Sequence, residues 1–301
     1  MRDIEKYLLQ FKGESIYYIP NPGNAGDSLI AAATYQTFDR LGLDYHLPNP
    51  MFFDATGKIV IYGGGGNLTC ATSFSSRVIS KLHFQAKKLV ILPQTIRRCD
   101  ILLEQLGDNV DVICRERESY QYVKGFVNSS NLFLMDDMAF GLNVGQLLSA
   151  KSSLNFYSEM AVYVFQKVVK SKNSVSLKPI LKLLEEKKID DILSAYIVDD
   201  VLNCFRIDGE GTDINIPIDN VDLSEVLAFG VENKRMSYFV TSKVLCFLNE
   251  FSEIHTNRLH MAVGGALLGK KVKFHSNNYY KCWSVFEYSM GSRYPNVEWM
   301  G

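Results

Sequence analysis

The sequence predicts an α/β protein built from two halves of the same class, and three observations carry that expectation. Short apolar runs alternate with amphipathic stretches from residue 15 to residue 135, the alternation resumes after residue 199, and residues 140–198 between them hold longer polar-apolar patterns. Strands alternating with helices of this length select a mostly parallel, doubly wound sheet. At 301 residues the chain exceeds the size at which a single core stops growing. The expected division is a Rossmann-like domain over 1–140, a helical connector over 141–198 and a smaller Rossmann-like domain over 199–301. Two such domains facing each other across a cleft form a GT-B-like architecture.

In the first half, the run Ser-Ile-Tyr-Tyr-Ile-Pro at 15–20 reads as a strand, and 28–41 as an amphipathic helix. Residues 58–62 form the next strand, ending in the four glycines Gly63, Gly64, Gly65 and Gly66, with a helix to follow inside 75–87. Residues 88–92 are a strand that Pro93 stops, a helix runs to about Leu106, and 110–114 is again a strand. A helix opens near Glu116, and 131–135 closes the series as a strand. The connector is expected to hold helices at 154–170 and 181–188, separated by a Ser/Lys/Asn-rich stretch. Beyond it come a strand at 201–207, a helix at 236–250, a strand near Ile254, a helix at 259–268, a strand at 271–274 and a last helix at 279–288. Ligands in such folds sit beyond the carboxyl ends of the strands, where Asn24, the Gly63 to Asn67 loop, Gln94 and Arg115 gather.

Composition narrows the function classes. A formal net charge of −1 gives no field for nucleic-acid binding. The six cysteines are scattered with no Cys-x-x-Cys pair, so buried reduced thiols are expected rather than disulfides or a zinc site, and no metal is expected. Arg2, Asp3, Glu5 and Lys6 interrupt any apolar leader, and no window approaches the ~20 apolar residues of a membrane span. The expected location is therefore the cytoplasm.

Two segments carry the chemistry. In Gly23-Asn24-Ala25-Gly26-Asp27, glycines permit close approach of backbone while Asn24 and Asp27 supply polarity at a helix start. Such a turn can hold an anion, and it can equally be an Asp27 N-cap with turn glycines. The glycine run before Asn67 lacks the Gly-Lys-Ser/Thr of a P-loop and the acidic partner of a dinucleotide fold. Near the other end, Arg258 and His260 open a helix just after a short strand. Arginine offers a planar fork for carboxylate or phosphate, and histidine serves as an acid near neutral pH. Arg206 at the end of the 201–205 run is awkward unless it faces a cleft. His255 lies close by as a competing assignment, and Arg115 either reaches the site or pairs with Glu116 or Glu118.

Taken in order, these segments resemble the polysaccharide pyruvyl transferase family. The resemblance rests on the 23–27 loop, the 63–66 glycine run, Pro93-Gln94-Thr95-Ile96, Arg115 with Glu118 and Ser119, Asp137 with Ala139, Arg206, and Arg258-Leu259-His260 followed by small residues and Gly269. It implies transfer of pyruvate from phosphoenolpyruvate to two hydroxyls of a sugar, forming a cyclic ketal and releasing phosphate, with no further cofactor. By the same resemblance His260 is the acid, Arg206 and Arg258 bind the donor, and Asn24, Asp27, Gly65, Asn67, Gln94 and Arg115 line the acceptor side or the cleft. The implied partner is a glycan acceptor; a lipid-linked one at the inner face of the cell membrane, with peripheral membrane contact, fits that chemistry.

Two other readings use the same residues. One is a nucleotide-sugar-dependent GT-B glycosyltransferase, against which stands the lack of two glutamates in an E-x7-E arrangement. The other is a non-catalytic glycan-binding protein of the same fold.

Overall fold

The computed structural model describes residues 2–50, 52–149, 192–211, 214–231 and 233–301. Two separate sheets organise these residues, one of seven strands and one of four, and every pairing within them is parallel. The fold is mixed α/β with parallel sheets, consistent with the Rossmann-like expectation.

The larger sheet contains β1 (Ser15–Ile19), β2 (Asp44–His46), β3 (Ile59–Tyr62), β4 (Gly65–Leu68), β5 (Lys88–Ile96), β6 (Val110–Cys114) and β7 (Leu132–Leu134). Its order is β2-β1-β3-β5-β6-β7, with β4 pairing β5 off that path. The chain moves from β1 to one side to make β2 and then to the other side to make β3, so the order reverses between β1 and β3. A reversal of this kind opens a crevice at the carboxyl ends of the strands. The loops that leave β1 and β3 there are the Asn24 turn and the glycine run.

The side-chain period of two makes this sheet doubly covered. Ile59 and Ile61 of β3, with Val90 and Leu92 of β5, join one buried apolar cluster, while Val60, Tyr62, Leu89 and Ile91 join a second on the opposite face. The second face carries α3 (Phe74–Leu82), α4 (Asp100–Glu104) and α5 (Arg117–Val123), whose apolar residues Val78, Leu103 and Val123 belong to that cluster. On the first face lie α1 (Arg2–Leu8) and α2 (Ala25–Leu41). Burial on all sides explains why α2 carries Ala31, Ala32, Ala33, Tyr35 and Phe38 rather than one apolar stripe.

The smaller sheet runs β11-β10-β9-β8, with β8 at Val201–Cys204, β9 at Glu253–Thr256, β10 at Lys271–Phe274 and β11 at Val297–Trp299. Its residues Leu202, Ile254, Val272 and Val297 enter the same apolar cluster as α2. In sequence α6 (Val144–Ser149) follows the larger sheet, and α7 (Leu223–Val226), α8 (Lys234–Asn249), α9 (Leu259–Leu267) and α10 (Lys281–Val285) are interleaved with the strands of the smaller one, the last running on into a π-helical turn over Phe286–Met290. Helix α8 packs directly on α2, so one continuous core joins residues of both sheets.

Several elements depart from the sequence expectation. Pro93 does not end its strand. β5 continues to Ile96, and the ladder to β6 shifts register between Ile91 and Gln94, which accommodates a residue with no N–H to give. After that shift β5 exchanges its neighbour β3 for β4, through Gly65 opposite Gln94 and Leu68 opposite Ile96. The glycine run is therefore partly a strand rather than a loop ahead of a helix. Helix α2 begins at Ala25, not at residue 28, and its N-cap is Asn24 rather than Asp27. The strand expected over 201–207 stops at Cys204, which leaves Arg206 on the loop beyond it. Strands β2 and β11 had no period long enough to announce them. The connector helices expected at 154–170 and 181–188 lie outside the described residues.

All six cysteines are free thiols; Cys99, Cys114, Cys204 and Cys282 are buried as expected, and Cys70 and Cys246 are exposed. Among the described residues no helix is long and apolar enough to cross a membrane.

Candidate active site

Asn24 caps α2 by accepting from the Gly26 N–H at 2.9 Å, and Asp27 Oδ2 accepts from the Asn24 N–H at 3.0 Å. This reciprocal capping box fixes both side chains at the positive end of a 17-residue helix. Asn67 is tied to the same turn by donating from Nδ2 to the Pro22 carbonyl at 2.6 Å. Helix α9 presents Arg258 as its N-cap and His260 in its first turn. The two helix starts meet: a Cβ placed on Gly26 would lie 2.6 Å from His260 Nδ1. Glycine at position 26 is thus what lets the imidazole close on the α2 terminus.

One pocket collects these groups. It is open to solvent on one side and is lined by Asn24, Asp27, Gly66, Asn67, Arg115, Arg206, Glu210, Ser224, Arg258, Leu259, His260 and Lys281. Of the residues singled out from the sequence, Asn24, Asp27, Asn67, Arg115, Arg206, Arg258 and His260 line this one pocket together. Gly65 and Gln94 do not line it. Gly65 sits behind with φ +145, a backbone region that favours glycine, and its neighbour Gly66 forms the wall. Gln94 is fully buried and donates from Nε2 to the Gly63 carbonyl at 2.7 Å, holding the glycine run to β5. His255 is not a pocket residue; it pairs with Glu253 at 2.7 Å on β9.

Each cation has an acidic partner, close in sequence for Arg206 and distant for Arg115, Arg258 and Lys281. Arg115 is 1% exposed and bonds through Nη1 to Asp137 Oδ2 at 2.7 Å and through Nε to Thr95 Oγ1 at 2.9 Å, so its partner is neither Glu116 nor Glu118. Glu116 instead caps α5 by accepting from the Ser119 N–H at 2.8 Å. Arg206 holds Asp208 through Nε and Nη2 at 2.7 and 2.8 Å, and Glu210 through Nη1. Arg258 is forked onto buried Asp222, with Nε to Oδ1 at 2.9 Å and Nη2 to Oδ2. Its Nη2 also stands 3.3 Å from Asp208 and 3.5 Å from Glu225. Lys281 Nζ lies 2.8 Å from Glu210 Oε2.

Asp137 has a second neighbour. His260 Nε2 stands 3.6 Å from Asp137 Oδ2, beyond hydrogen-bond length but within ion-pair reach, and has no hydrogen-bond partner. Burial would raise the Asp137 carboxyl, yet His260, Arg115 and the Ala139 N–H outweigh it and hold the group well below the usual carboxylate range. Asp27 goes the other way. Burial pushes it up to about 6, against the opposing pull of His260, the Asn24 N–H, Arg115 and Lys281. The pocket thus places an imidazole between a carboxylate that stays charged and one that changes charge near neutral pH.

Lys281, Glu210, Asp208, Asp222 and Ser224 were not singled out from the sequence. Lys281 had a local signal, since it opens a helix in the loop region beyond β10, the placement that marked Arg258 beyond β9. Asp208 and Glu210 stand two and four residues from Arg206 on one loop, whereas Asp222 reaches Arg258 across 36 residues, a separation no spacing rule reads.

Chains of this design belong to a recognisable class. The sequence model of the polysaccharide pyruvyl transferase family matches residues 24–229, more than half of the chain, and the protein belongs to that family. The matched span holds Asn24, Asp27, Arg115 and Arg206 and ends before Arg258, His260 and Lys281. Among solved structures, the crystal structure of a functionally uncharacterised protein from Klebsiella pneumoniae subsp. pneumoniae NTUH-K2044 is similar, at 28% identity and a TM-score of 0.74, covering 100% of this chain and 98% of that one. No curated protein matches the chain.

Proposed function

We propose that the protein transfers pyruvate from phosphoenolpyruvate to two hydroxyls of a glycan acceptor, forming a cyclic ketal and releasing phosphate, with no other cofactor. The observation that carries this reading is the convergence of Arg115, Arg206, Arg258, Lys281 and His260 on one pocket, in a chain of the pyruvyl transferase family. A donor with one carboxylate and one phosphate needs several fixed cations, and protonating the methylene carbon of an enol phosphate needs an acid. In this account the two sheets carry the two sides of a GT-B-like cleft. Asn24, Asp27 and Asn67 face the acceptor, and Arg206, Arg258 and His260 face the donor. The work is done in the cytoplasm, at the inner membrane face where the acceptor is lipid-linked.

His260 protonates the methylene carbon, which makes the adjacent carbon electrophilic. The first acceptor hydroxyl adds there, and the second displaces phosphate from the same carbon. Of the two hydroxyl protons, one restores His260 and the other leaves with phosphate. Asp27 is the group beside His260 able to take a proton from the attacking hydroxyl, and it is competent only as the carboxylate. Because its value lies near 6 rather than the ordinary 3.8, it is protonated below that pH and charged above it. Turnover is expected to rise with pH through about 6 as Asp27 ionises, and Asp27→Asn to remove that limb from the pH–rate profile. An unchanged limb in the variant assigns the titration to another group.

Gly26→Ala provides a geometric test. Alanine suits a helix, but its methyl group would displace the His260 ring from its present position. A misplacement of about 1 Å costs on the order of 100-fold in rate. The variant is expected to melt near the parent temperature while losing about that much turnover; full activity would show that His260 does not need this seat. The function as a whole is tested by incubating the protein with phosphoenolpyruvate and a panel of sugar acceptors and reading ketal products by mass.

A further inference from the structure

Lys281 and Glu210 meet at a single oxygen. Glu210 Oε2 contacts Arg206 Nη1 and lies 2.8 Å from Lys281 Nζ. One oxygen held jointly by a guanidinium and an ammonium has the surroundings of a bound anion's oxygen. All three side chains line the pocket.

The pair differs from the neighbouring Arg258–Asp222 fork in what can move. Arg258 and Asp222 are each 5% exposed and bonded along a whole guanidinium edge, so parting them strands two charges in the interior. Glu210 is 34% exposed on the loop beyond β8, and its carboxylate can turn to water without being stranded. The cations are held in place independently of it. Arg206 keeps its bidentate bond to Asp208 through Nε and Nη2, which leaves Nη1 as the end that Glu210 occupies. Lys281 is 12% exposed, with its ammonium 4.9 Å from the Tyr279 ring centre.

We propose that Arg206 Nη1 and Lys281 Nζ form the seat for the donor's phosphoryl group, and that Glu210 is a built-in carboxylate which that group displaces. The identity of the donor rests on the phosphoenolpyruvate reading; the seat rests on the three side chains alone. A phosphate dianion carries more charge than the carboxylate it replaces, so it wins the exchange, whereas a ligand offering only one carboxylate gains nothing by it. Glu210 therefore weakens binding of every anion and selects for the phosphorylated one. Lys281 becomes a donor-binding residue, and Glu210 a specificity-determining one.

Calorimetric titration of the intact protein with inorganic phosphate tests this, using Glu210→Ala, Lys281→Met and Lys281→Arg. The expected pattern is about tenfold tighter binding in Glu210→Ala, about tenfold weaker binding in Lys281→Met, and binding near the parent's in Lys281→Arg. Weaker or unchanged binding in Glu210→Ala overturns the proposal, since Glu210 is then a brace for the two cations rather than an occupant. Unchanged binding in Lys281→Met also overturns it. Parallel turnover assays separate the two claims. If the phosphate pattern holds but the parent forms no ketal, the seat stands and the donor reading falls; if ketal forms and Lys281→Met leaves KM for phosphoenolpyruvate unmoved, the reading stands and the seat falls.

Discussion

Replacing His260 with alanine is expected to lower turnover about 10³-fold while leaving donor binding near the parent value. The ring closes on Gly26 at the start of α2 and faces Asp137 at 3.6 Å, and no other imidazole lines the pocket. Under the proposed mechanism, removing it takes away the proton source for the methylene carbon, and Asp27, pushed up to about 6, is only a partial substitute above that pH. The variant should fold, because the side chain makes no hydrogen bond through Nε2 and leaves no bonded partner behind. Steady-state kinetics at saturating phosphoenolpyruvate checks this: kcat should fall and KM should hold. A variant that turns over normally removes His260 from the chemistry.

Asp137→Ala is expected to destabilise the protein by about 3–5 kcal/mol. Both members of the Arg115–Asp137 pair are 1% exposed, so deleting the carboxylate leaves a guanidinium buried beside Thr95 with no counter-charge. The sign of the pH dependence follows from the depressed Asp137 value. A carboxyl held below its unfolded value contributes stability above that unfolded value, about 4, and loses it as pH falls further. Denaturant titrations should therefore show the parent losing stability on acidification below about pH 4, with that part of the loss missing in Asp137→Ala. A variant as stable as the parent would mean that Arg115 finds another counter-charge. His260 also faces Asp137, so the variant is expected to lose activity under conditions where it remains folded.

How much of this was visible in the sequence depends on the range over which each feature is encoded. The strands at 15–19, 59–62 and 110–114 are short apolar runs with helix patterns between them, and parallel order places their ends together; that brings Asn24, Asp27, Asn67 and Arg115 to one edge without further information. Arg258 and His260 sit two and four residues beyond the end of β9 at Thr256, so the same rule placed them. Pro93 misled because the rule that proline ends a strand ignores a register shift, and β5 has one between Ile91 and Gln94. Gln94 was carried into the site by its neighbourhood, while its amide points at the Gly63 carbonyl. Asp222 was illegible as a partner of Arg258, since an ion pair across a fold leaves no period in the chain; Asp208 and Glu210, two and four residues from Arg206, were hidden because 201–207 reads as a strand, whereas the strand ends at Cys204 and the chain turns back on Arg206. The raised value of Asp27 was equally hidden, because it comes from the packing of His260 and α2 around a carboxyl that in sequence looks like an ordinary helix cap.

The central claim is that one pocket, with cations from both sheets around His260, moves pyruvate from phosphoenolpyruvate to a sugar diol. The most direct measurement follows phosphate release and acceptor mass together in one reaction. The prediction is that phosphate appears only when a suitable glycan is present, in equal amount with an acceptor heavier by pyruvate less one water, and that both signals slow together by about 10³-fold in His260→Ala. Phosphate release with no change in acceptor mass, or sugar transfer from a nucleotide sugar with no response to phosphoenolpyruvate, would contradict it.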